Sequence, residues 1–410
     1  MSATQLLAFG ADSQNDGQTR YYTLSGVIPP TAAITTEAEG QIPVRDAGTF
    51  SNLYFRLTSN ACTVNTVVTL RKSGVATALT LTVGPDATGE FEDVTHSVAF
   101  ANTELAGLEV AIPSEPGGNQ LVVSVIGVLF AATSGTVSMQ SGVAAGDSFS
   151  TASATRFYPL TARNDSSVIE TNVHWRVTAT FTARNLSVYV SGNARSTDSV
   201  WTSRKNAGAG SMTLTFATAE TGLKEDTSNS DSLVADDEYN LALTNGTGTG
   251  DITTTMTTVA IASAADQFPL QNSGNPVPQD FGVTNYLNFG RIGSASATES
   301  DAQLLTRLTY TASHLTARVV PNSLPSGATA TVRCRVNAAD GNQVLVFTSA
   351  ETGVKTDAAN TDVLTAGTDR YNVAIVTTGA SGSVGVRAVS MLGTVASAAV
   401  GNPWYAYAQQ

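Results

Sequence analysis

An internal repeat constrains this chain more than any other feature. Asn52-Leu53-Tyr54-Phe55, Asn185-Leu186-Ser187-Val188 and His314-Leu315-Thr316-Ala317 are alternating segments whose two separations (185 − 52 and 314 − 185) are nearly equal. Other landmarks keep step with them. Asn60, Asn193 and Asn322 each follow eight positions later, which puts an Asn in the turn that ends this strand. Arg71, Arg204 and Arg333 come next in a second strand. A third strand follows at 79–83, 212–216 and 344–347, with the period of two that a strand with one buried face requires. Each copy then turns at Thr88-Gly89, Thr221-Gly222 or Thr352-Gly353 and reaches Asp93, Asp226 or Asp357 four positions beyond the Gly. A later strand occupies 108–112, 239–243 and 371–375. Upstream, Glu37, Glu170 and Glu299 precede the Asn or His at one fixed interval (52 − 37, 185 − 170, 314 − 299).

Separations of this length far exceed the roughly 20 to 50 residues of solenoid repeats, so the units are whole domains. Each copy opens on an aromatic-x-Leu strand: Tyr22-Thr23-Leu24, Tyr158-Pro159-Leu160 and Phe268-Pro269-Leu270. This count gives about seven or eight short strands per copy, as in a Greek-key sandwich or jelly roll. The absence of a Cys, Trp, Cys pattern favours the jelly roll over an immunoglobulin-like fold. The reading is an all-β chain of three tandem antiparallel β-sandwich, jelly-roll-like domains at 19–135, 136–265 and 266–397. An N-terminal arm (1–18) precedes them and an aromatic tail (398–410) follows. The interval from Phe268 to Glu299 (299 − 268) is more than twice that from Tyr22 to Glu37 (37 − 22) or from Tyr158 to Glu170 (170 − 158). The excess reads as an inserted loop at 271–285, covering a sheet edge or reaching a neighbouring subunit; its Gln271-Asn272-Ser273-Gly274-Asn275-Pro276-Val277-Pro278 has few strand donors. The tail carries Trp404, Tyr405 and Tyr407, either docked on the third domain or inserted in a partner.

Composition agrees. Charged residues are 13% of the chain, against about 25% in ordinary globular proteins; Thr, Ser, Gly and Asn supply the polarity and suit strands and tight turns. A net charge of −12 argues against nucleic acid, whose phosphates require clustered Lys and Arg. No segment has the length of a membrane span, and Met1-Ser2-Ala3-Thr4-Gln5 lacks a basic region before an apolar stretch, so assembly in a cytoplasm is expected.

Chemistry is sparse. Cys62 and Cys334 lie in different copies, far apart in sequence, and read as buried thiols. His96, His174 and His314 have no ligand-compatible neighbours, and neither a Gly-x-Ser-x-Gly elbow nor a phosphate-binding glycine loop occurs. No cofactor, metal or catalytic residue is assigned. Asp226-x-x-Asn229-x-Asp231 and Asp357-x-x-Asn360-x-Asp362 offer oxygens to a hard cation, but the first copy has Asp93, His96 and Val98 there, and such residues also make side-chain-to-backbone turns. Trp175, Trp201 and Tyr189 are candidates for stacking on sugars or for core and subdomain-interface packing. The charges that recur are Glu37, Glu170 and Glu299; Arg71, Arg204 and Arg333; and Asp93, Asp226 and Asp357. An Arg on a strand with apolar neighbours needs an acceptor for its guanidinium, so in at least two copies it is expected to contact its own domain's Glu or Asp; contact with another protein is the rival reading.

The run Thr36-Glu37-Ala38-Glu39-Gly40-Gln41-Ile42-Pro43-Val44-Arg45-Asp46-Ala47-Gly48-Thr49-Phe50-Ser51-Asn52-Leu53-Tyr54, with Thr69-Leu70-Arg71-Lys72-Ser73-Gly74 and then Thr88-Gly89 and Asp93 to His96, resembles a domain found repeatedly among virion structural proteins of tailed bacteriophages. The second and third copies match less closely. Gly40, Pro43 and Gly48 have no counterparts there, and Lys72 aligns with Cys334. The resemblance implies a non-enzymatic sandwich on a capsid, neck or tail, assembled in the host bacterial cytoplasm with other virion subunits and as a homo-oligomer. Two functions follow from it: capsid decoration, cement or neck or tail appendage, and, as the alternative, a receptor-binding adhesin holding host glycan.

Overall fold

The computed structural model describes residues 3–28, 34–142, 147–161, 166–288 and 296–395. The first copy contains β1 (Ala3–Asn15), β2 (Thr19–Tyr22), β3 (Gly26–Ile28), a short helix α1 (Glu37–Gly40), β4 (Ile42–Pro43), β5 (Gly48–Asn60), β6 (Thr66–Lys72), β7 (Val75–Val83), β8 (Gly89–Phe100), β9 (Leu105–Ala111) and β10 (Gln120–Ala132). The second contains β11 (Thr136–Gly142), β12 (Asp147–Phe149), β13 (Thr155–Tyr158), a 3-10 turn (Glu170–Asn172), β14 (Trp175–Arg176), β15 (Phe181–Asn193), β16 (Ser199–Lys205), β17 (Gly208–Phe216), β18 (Gly222–Leu233), β19 (Glu238–Asn245) and β20 (Ile252–Ser263). The third contains β21 (Gln267–Asp280), β22 (Thr284–Leu287), α2 (Glu299–Ala302), β23 (Leu304–Leu305), β24 (Tyr310–Asn322), β25 (Thr329–Val336), β26 (Ala339–Thr348), β27 (Gly353–Leu364), β28 (Arg370–Thr377) and β29 (Ser383–Val395).

The sheets run β1-β10-β5-β8, with the three-residue β3 added parallel to β1 at its edge, and β2-β9-β6-β7 in the first copy, β11-β20-β15-β18 and β13-β19-β16-β17 in the second, and β21-β29-β24-β27 and β22-β28-β25-β26 in the third, so the four-strand order recurs. Within a copy almost every connection crosses from one sheet to the other, and only β6-β7, β16-β17 and β25-β26 are hairpins of adjacent strands. The chain is therefore all-β, built as three tandem antiparallel jelly rolls.

Two segments differ from their sequence reading. Residues read as an N-terminal arm form β1, paired along its length with β10. The segment read as an inserted loop at 271–285 is mostly the edge strand β21, paired with β29 from Gln267 to Asp280, followed by a turn and the start of β22. Prolines at 269, 276 and 278 argue for a loop only if both edges of a strand need donors; a strand with one free edge tolerates them. The apparent excess came from aligning Phe268 with Tyr22 and Tyr158. Tyr22 pairs with Leu108, Tyr158 with Leu241, and Leu287 with Val373, so Leu287 holds that place in the third copy. The interval from Leu287 to Glu299 (299 − 287) then equals the one from Tyr158 to Glu170 in the second copy (170 − 158). The aromatic tail at 398–410 lies outside the described residues.

The recurring landmarks have physical causes. Asn52, Asn185 and His314 have φ of 50°, 56° and 55°, and each sits at a bulge where the register to the next strand shifts. Left-handed backbone at a non-Gly residue favours Asn, with His next. Asn60, Asn193 and Asn322 each donate to two carbonyls of the turn that follows the third strand, such as Ala217 and Glu220 at 2.9 and 3.0 Å from Asn193. Their side-chain oxygens accept the N–H two residues on. One amide thus ties two loops together. β7, β17 and β26 bury alternate residues, Leu79, Leu81 and Val83 in the first copy, Met212, Leu214 and Phe216 in the second, and Gln343, Leu345 and Phe347 in the third.

Inside the sandwiches, bulky side chains change position from copy to copy. Phe50 stacks against Phe100 and Phe130 at 4.8 and 4.6 Å between centroids, and Gly48 leaves room for it, since a Cβ there would lie 2.6 Å from the Phe130 ring. In the third copy Tyr310 occupies the Gly48 position, Ala312 replaces Phe50, and Gly393 replaces Phe130 so that Phe268 can pack at 5.2 Å from Tyr310. Paired large and small exchanges of this kind are tolerated where single ones are not. The cores also cross between copies. Val137, Met139, Met256 and Ala260 of the second copy join the core of the first, Tyr54 and Val125 of the first join the third, and Leu392 of the third joins the second. Each jelly roll thus touches both others, and the three close into a ring.

Candidate functional site

The short helix or 3-10 turn before the long strand presents a Glu, and the strand after it presents an Arg. Glu37 accepts from Arg71 Nε and Nη2 at 2.9 and 3.2 Å. Glu170 accepts from Arg204 at 2.8 and 2.9 Å. In the third copy the partner of Glu299 is Arg335, at 2.8 Å from both guanidinium nitrogens. Arg333, which the sequence spacing placed in this set, instead pairs with the exposed Asp340. The displacement has a simple cause. Thr66, Ser199 and Ala330 hold one register position opposite Val83, Phe216 and Phe347, yet they stand at unequal intervals from the turn Asn (66 − 60, 199 − 193, 330 − 322). Two residues inserted in that loop shift the arginine from 333 to 335, and Lys72 consequently matches Val336 rather than Cys334. Each clamp Arg also donates to a carbonyl of the following hairpin, at Gly74, Ala207 or Ala338. Hydrogen bonding to the Glu holds the Arg71, Arg204 and Arg335 guanidiniums above their usual range, against the opposing effect of burial.

Asp93, Asp226 and Asp357 lie opposite Leu53, Leu186 and Leu315, the residues after the bulge. Asp226 accepts N–H bonds from Thr213, Ser228 and Asn229 at 3.0, 3.1 and 3.0 Å, and from Asn229 Nδ2 at 2.9 Å. Asp357 takes the same set from Val344, Ala359 and Asn360, and Asp93 from Thr80, Thr95 and His96. Burial pushes these carboxyls up, yet the combined hydrogen bonds outweigh it and hold all three below the usual carboxylate range. Each Asp joins the two sheets of its sandwich along their rim, by accepting from the edge strand of the facing sheet. The remaining candidate cation ligands are engaged too: Asp231 accepts from Ser203, Ser211 and Tyr239 at 2.6, 2.6 and 3.0 Å, and Asp362 from Asn342 and Gln343 at 2.7 and 3.1 Å. The motif is a turn with its oxygens filled by N–H and O–H donors. Among the described residues no group of His, Cys, Asp and Glu side chains is arranged to hold a metal ion.

The other singled-out residues are structural in position. Trp175 and Trp201 are buried in the second core, and Tyr189 packs against the first, so none presents a face to a sugar. Cys62 and Cys334 are free and buried, and burial raises the Cys62 thiol to about 11. Among the described residues no helix is long and apolar enough to cross a membrane.

The charges that sequence reasoning passed over lie at the seams of the ring. Arg45 of the first copy clamps Glu225 of the second with two nitrogens. Arg307 of the third copy pairs with Glu92 of the first and lies 4.1 Å over the Tyr54 ring. These are the same interaction. Arg45 and Arg307 stand equally far before the long strand (48 − 45, 310 − 307), and Glu92 and Glu225 sit opposite Tyr54 and Ser187, the second residue after the bulge. Asp46 with Arg184 adds to the first seam, and Glu90 with Arg370 at 2.7 Å to the other. Glu92 and Glu225 immediately precede the recurring Asp93 and Asp226, so their shared position is visible in the sequence, whereas their partners are not. Arg195 is the other omission. Fully buried, it donates to the carbonyls of Ser150, Gly246, Gly248 and Gly250 and fixes that loop.

A ring of three jelly rolls, joined by repeated Arg–Glu pairs, is the class of protein this geometry defines. No protein-family model matches the chain, and no curated protein matches it in sequence. Two solved structures align along nearly all of it: one described as the triple jelly roll fold and turret assembly in an archaeal virus, 11% identical, covering 95% of this chain and 91% of that one with a TM-score of 0.21; the other described as the atomic structure of Sulfolobus turreted icosahedral virus, 11% identical, covering 96% and 92%, also at 0.21. An insecticidal delta-endotoxin from Bacillus thuringiensis, 8% identical, covers 54% of each chain at a TM-score of 0.17. With scores this low, the strand order within each copy defines the fold, not the overlay of whole chains.

Proposed function

We propose that this protein is a non-enzymatic structural component of a virus particle, a tailed-bacteriophage capsid decoration or cement protein or a neck or tail appendage. The observation that carries the reading is that the recurring polar groups are satisfied within the protein's own jelly rolls. The Glu–Arg clamp, the Asp turn and the Asn tie all face inward to other parts of the same chain, which suits a rigid building block. Jelly rolls are a common solution for viral capsid domains and also for lectins, and the resemblance of the run from Thr36 to Tyr54 supplies the phage setting. Its partners on this reading are other virion subunits or further copies of itself.

Deletion of the gene tests the proposal. Particles that lose this protein and become fragile to heat or chelation support a cement role. Intact particles that fail to adsorb to the host make the protein an adhesin, and absence of the protein from purified particles removes the virion reading altogether.

A further inference from the structure

The ring has three seams, and they are not equal. Two carry the equivalent Arg–Glu pair, Arg45 with Glu225 and Arg307 with Glu92. In the third, between the second and third jelly rolls, the matching positions are Thr178, at the same interval before Phe181 (181 − 178), and Thr356, opposite Thr316. Both charges of the pair are missing together. Apolar sharing is also least here: Leu392 of the third copy joins the second core, whereas four buried residues cross the first seam and Tyr54 and Val125 cross the other.

The third seam is polar instead. Arg318 Nη2 of the third copy bonds Glu238 of the second at 2.5 Å, and His174 Nδ1 donates to the other oxygen of the same carboxylate. A cavity beside them is lined by His174, Gln271 and Arg318. Each of the three is more than nine-tenths buried, and each has a buried polar atom without a hydrogen-bond partner among the described residues: His174 Nε2, Gln271 Oε1 and Arg318 Nε. Glu170 lies 3.8 Å from His174 Nε2, too far for a hydrogen bond. With an N–H donor, a carbonyl acceptor and an imidazole nitrogen, the three atoms match the bonding capacity of water.

We infer that the ring opens at the seam between the second and third jelly rolls, pivoting on the first, while residues 264–266 between β20 and β21 keep the two halves tethered. Opening exposes Trp175, His174 and Arg318 and converts a closed ring into an open clasp. This holds whether or not the protein is part of a virion.

The short strands β4, β14 and β23 occupy equivalent places beside the three seams, pairing with β9, β19 and β28. Hydrogen exchange on the full chain compares them directly. The N–H of Trp175 in β14 should exchange at least tenfold faster than those of its register equivalents Ile42 in β4, whose other residue is a proline, and Leu304 in β23, and the double substitution Thr178→Arg with Thr356→Glu should bring it to their level. Either single substitution should leave it fast. Equal protection of the three strands in the unaltered chain would overturn the inference. So would fast exchange at β14 that the double substitution leaves unchanged, since that assigns it to fraying of a short strand rather than to the seam.

Discussion

Arg333 and Arg335 provide a sharp test, because sequence spacing and tertiary structure name different residues for one role. Replacing Arg335 by Met removes the two-pronged bond to Glu299, whose side chain is 14% exposed against 16% for the Arg. It also removes the bond to the Ala338 carbonyl, a pair with the half-exposed Asp340 that Arg333 shares, and the stacking 5.9 Å over Tyr286. Exposed pairs contribute about 0 to 1 kcal/mol and breaking a fully buried one costs about 3 to 5 kcal/mol. A half-buried clamp with a stranded Glu299 falls between them, at about 2 kcal/mol. Cation–π stacking at that range adds at most about 0.5 kcal/mol. Arg333→Met loses a pair to Asp340, which is 49% exposed, and retains much of the stem packing, so it should cost under about 1 kcal/mol. In calorimetry the first variant should melt several degrees lower, roughly 4 to 10 °C for a domain of this size, and Glu299→Gln should reproduce most of the loss. A larger effect from Arg333→Met than from Arg335→Met would refute the assignment of the clamp.

Three further outcomes are expected. The hydrogen bond from His174, with Arg318 beside it, draws the Glu238 carboxyl down to about 2; a depressed carboxylate stabilises above its ordinary range and loses that contribution as pH falls through the folded value. Discounted for solvent screening the effect is about 2 kcal/mol, its largest part from His174 within the second copy, so stability of the whole protein should fall between about pH 4 and pH 2, and Glu238→Gln should abolish that acid dependence in melting experiments. Asn185 has φ of 56°, so Asn185→Val should lower unfolding free energy by about 1 to 2 kcal/mol in denaturant titration, whereas Asn185→Gly should change it by only a few tenths; equal losses would argue against the bulge as the cause. Because donors fill the Asp226 and Asp357 oxygens, millimolar calcium or a chelator should leave the melting temperature unchanged, while Asp226→Ala, which strands three backbone N–H groups, should cost about 2 to 3 kcal/mol; a calcium-dependent rise in melting temperature would contradict this.

The sequence by itself determined the local events of the fold. Alternation fixed the strands, and each landmark with an intrinsic backbone or side-chain requirement repeated: Asn52 at a left-handed bulge, Asn60 tying two loops, Gly89 at φ of 102°, and Asp93 filled by turn N–H groups. Such requirements are satisfied within one domain, so they survive in each copy and can be read by spacing. Spacing failed where the copies differ in loop length, as at Arg335, and where a strand is recognised only by its neighbour, as in β21, whose prolines are tolerated because one of its edges needs no donors. The ring was decided by tertiary structure alone. Arg45 and Glu225 are 180 residues apart, and nothing local to either distinguishes a solvated charge from one that meets a partner across a seam. Only the closure of the three jelly rolls brings such groups together, and only there does the joint replacement of a charge pair by Thr178 and Thr356 acquire a meaning.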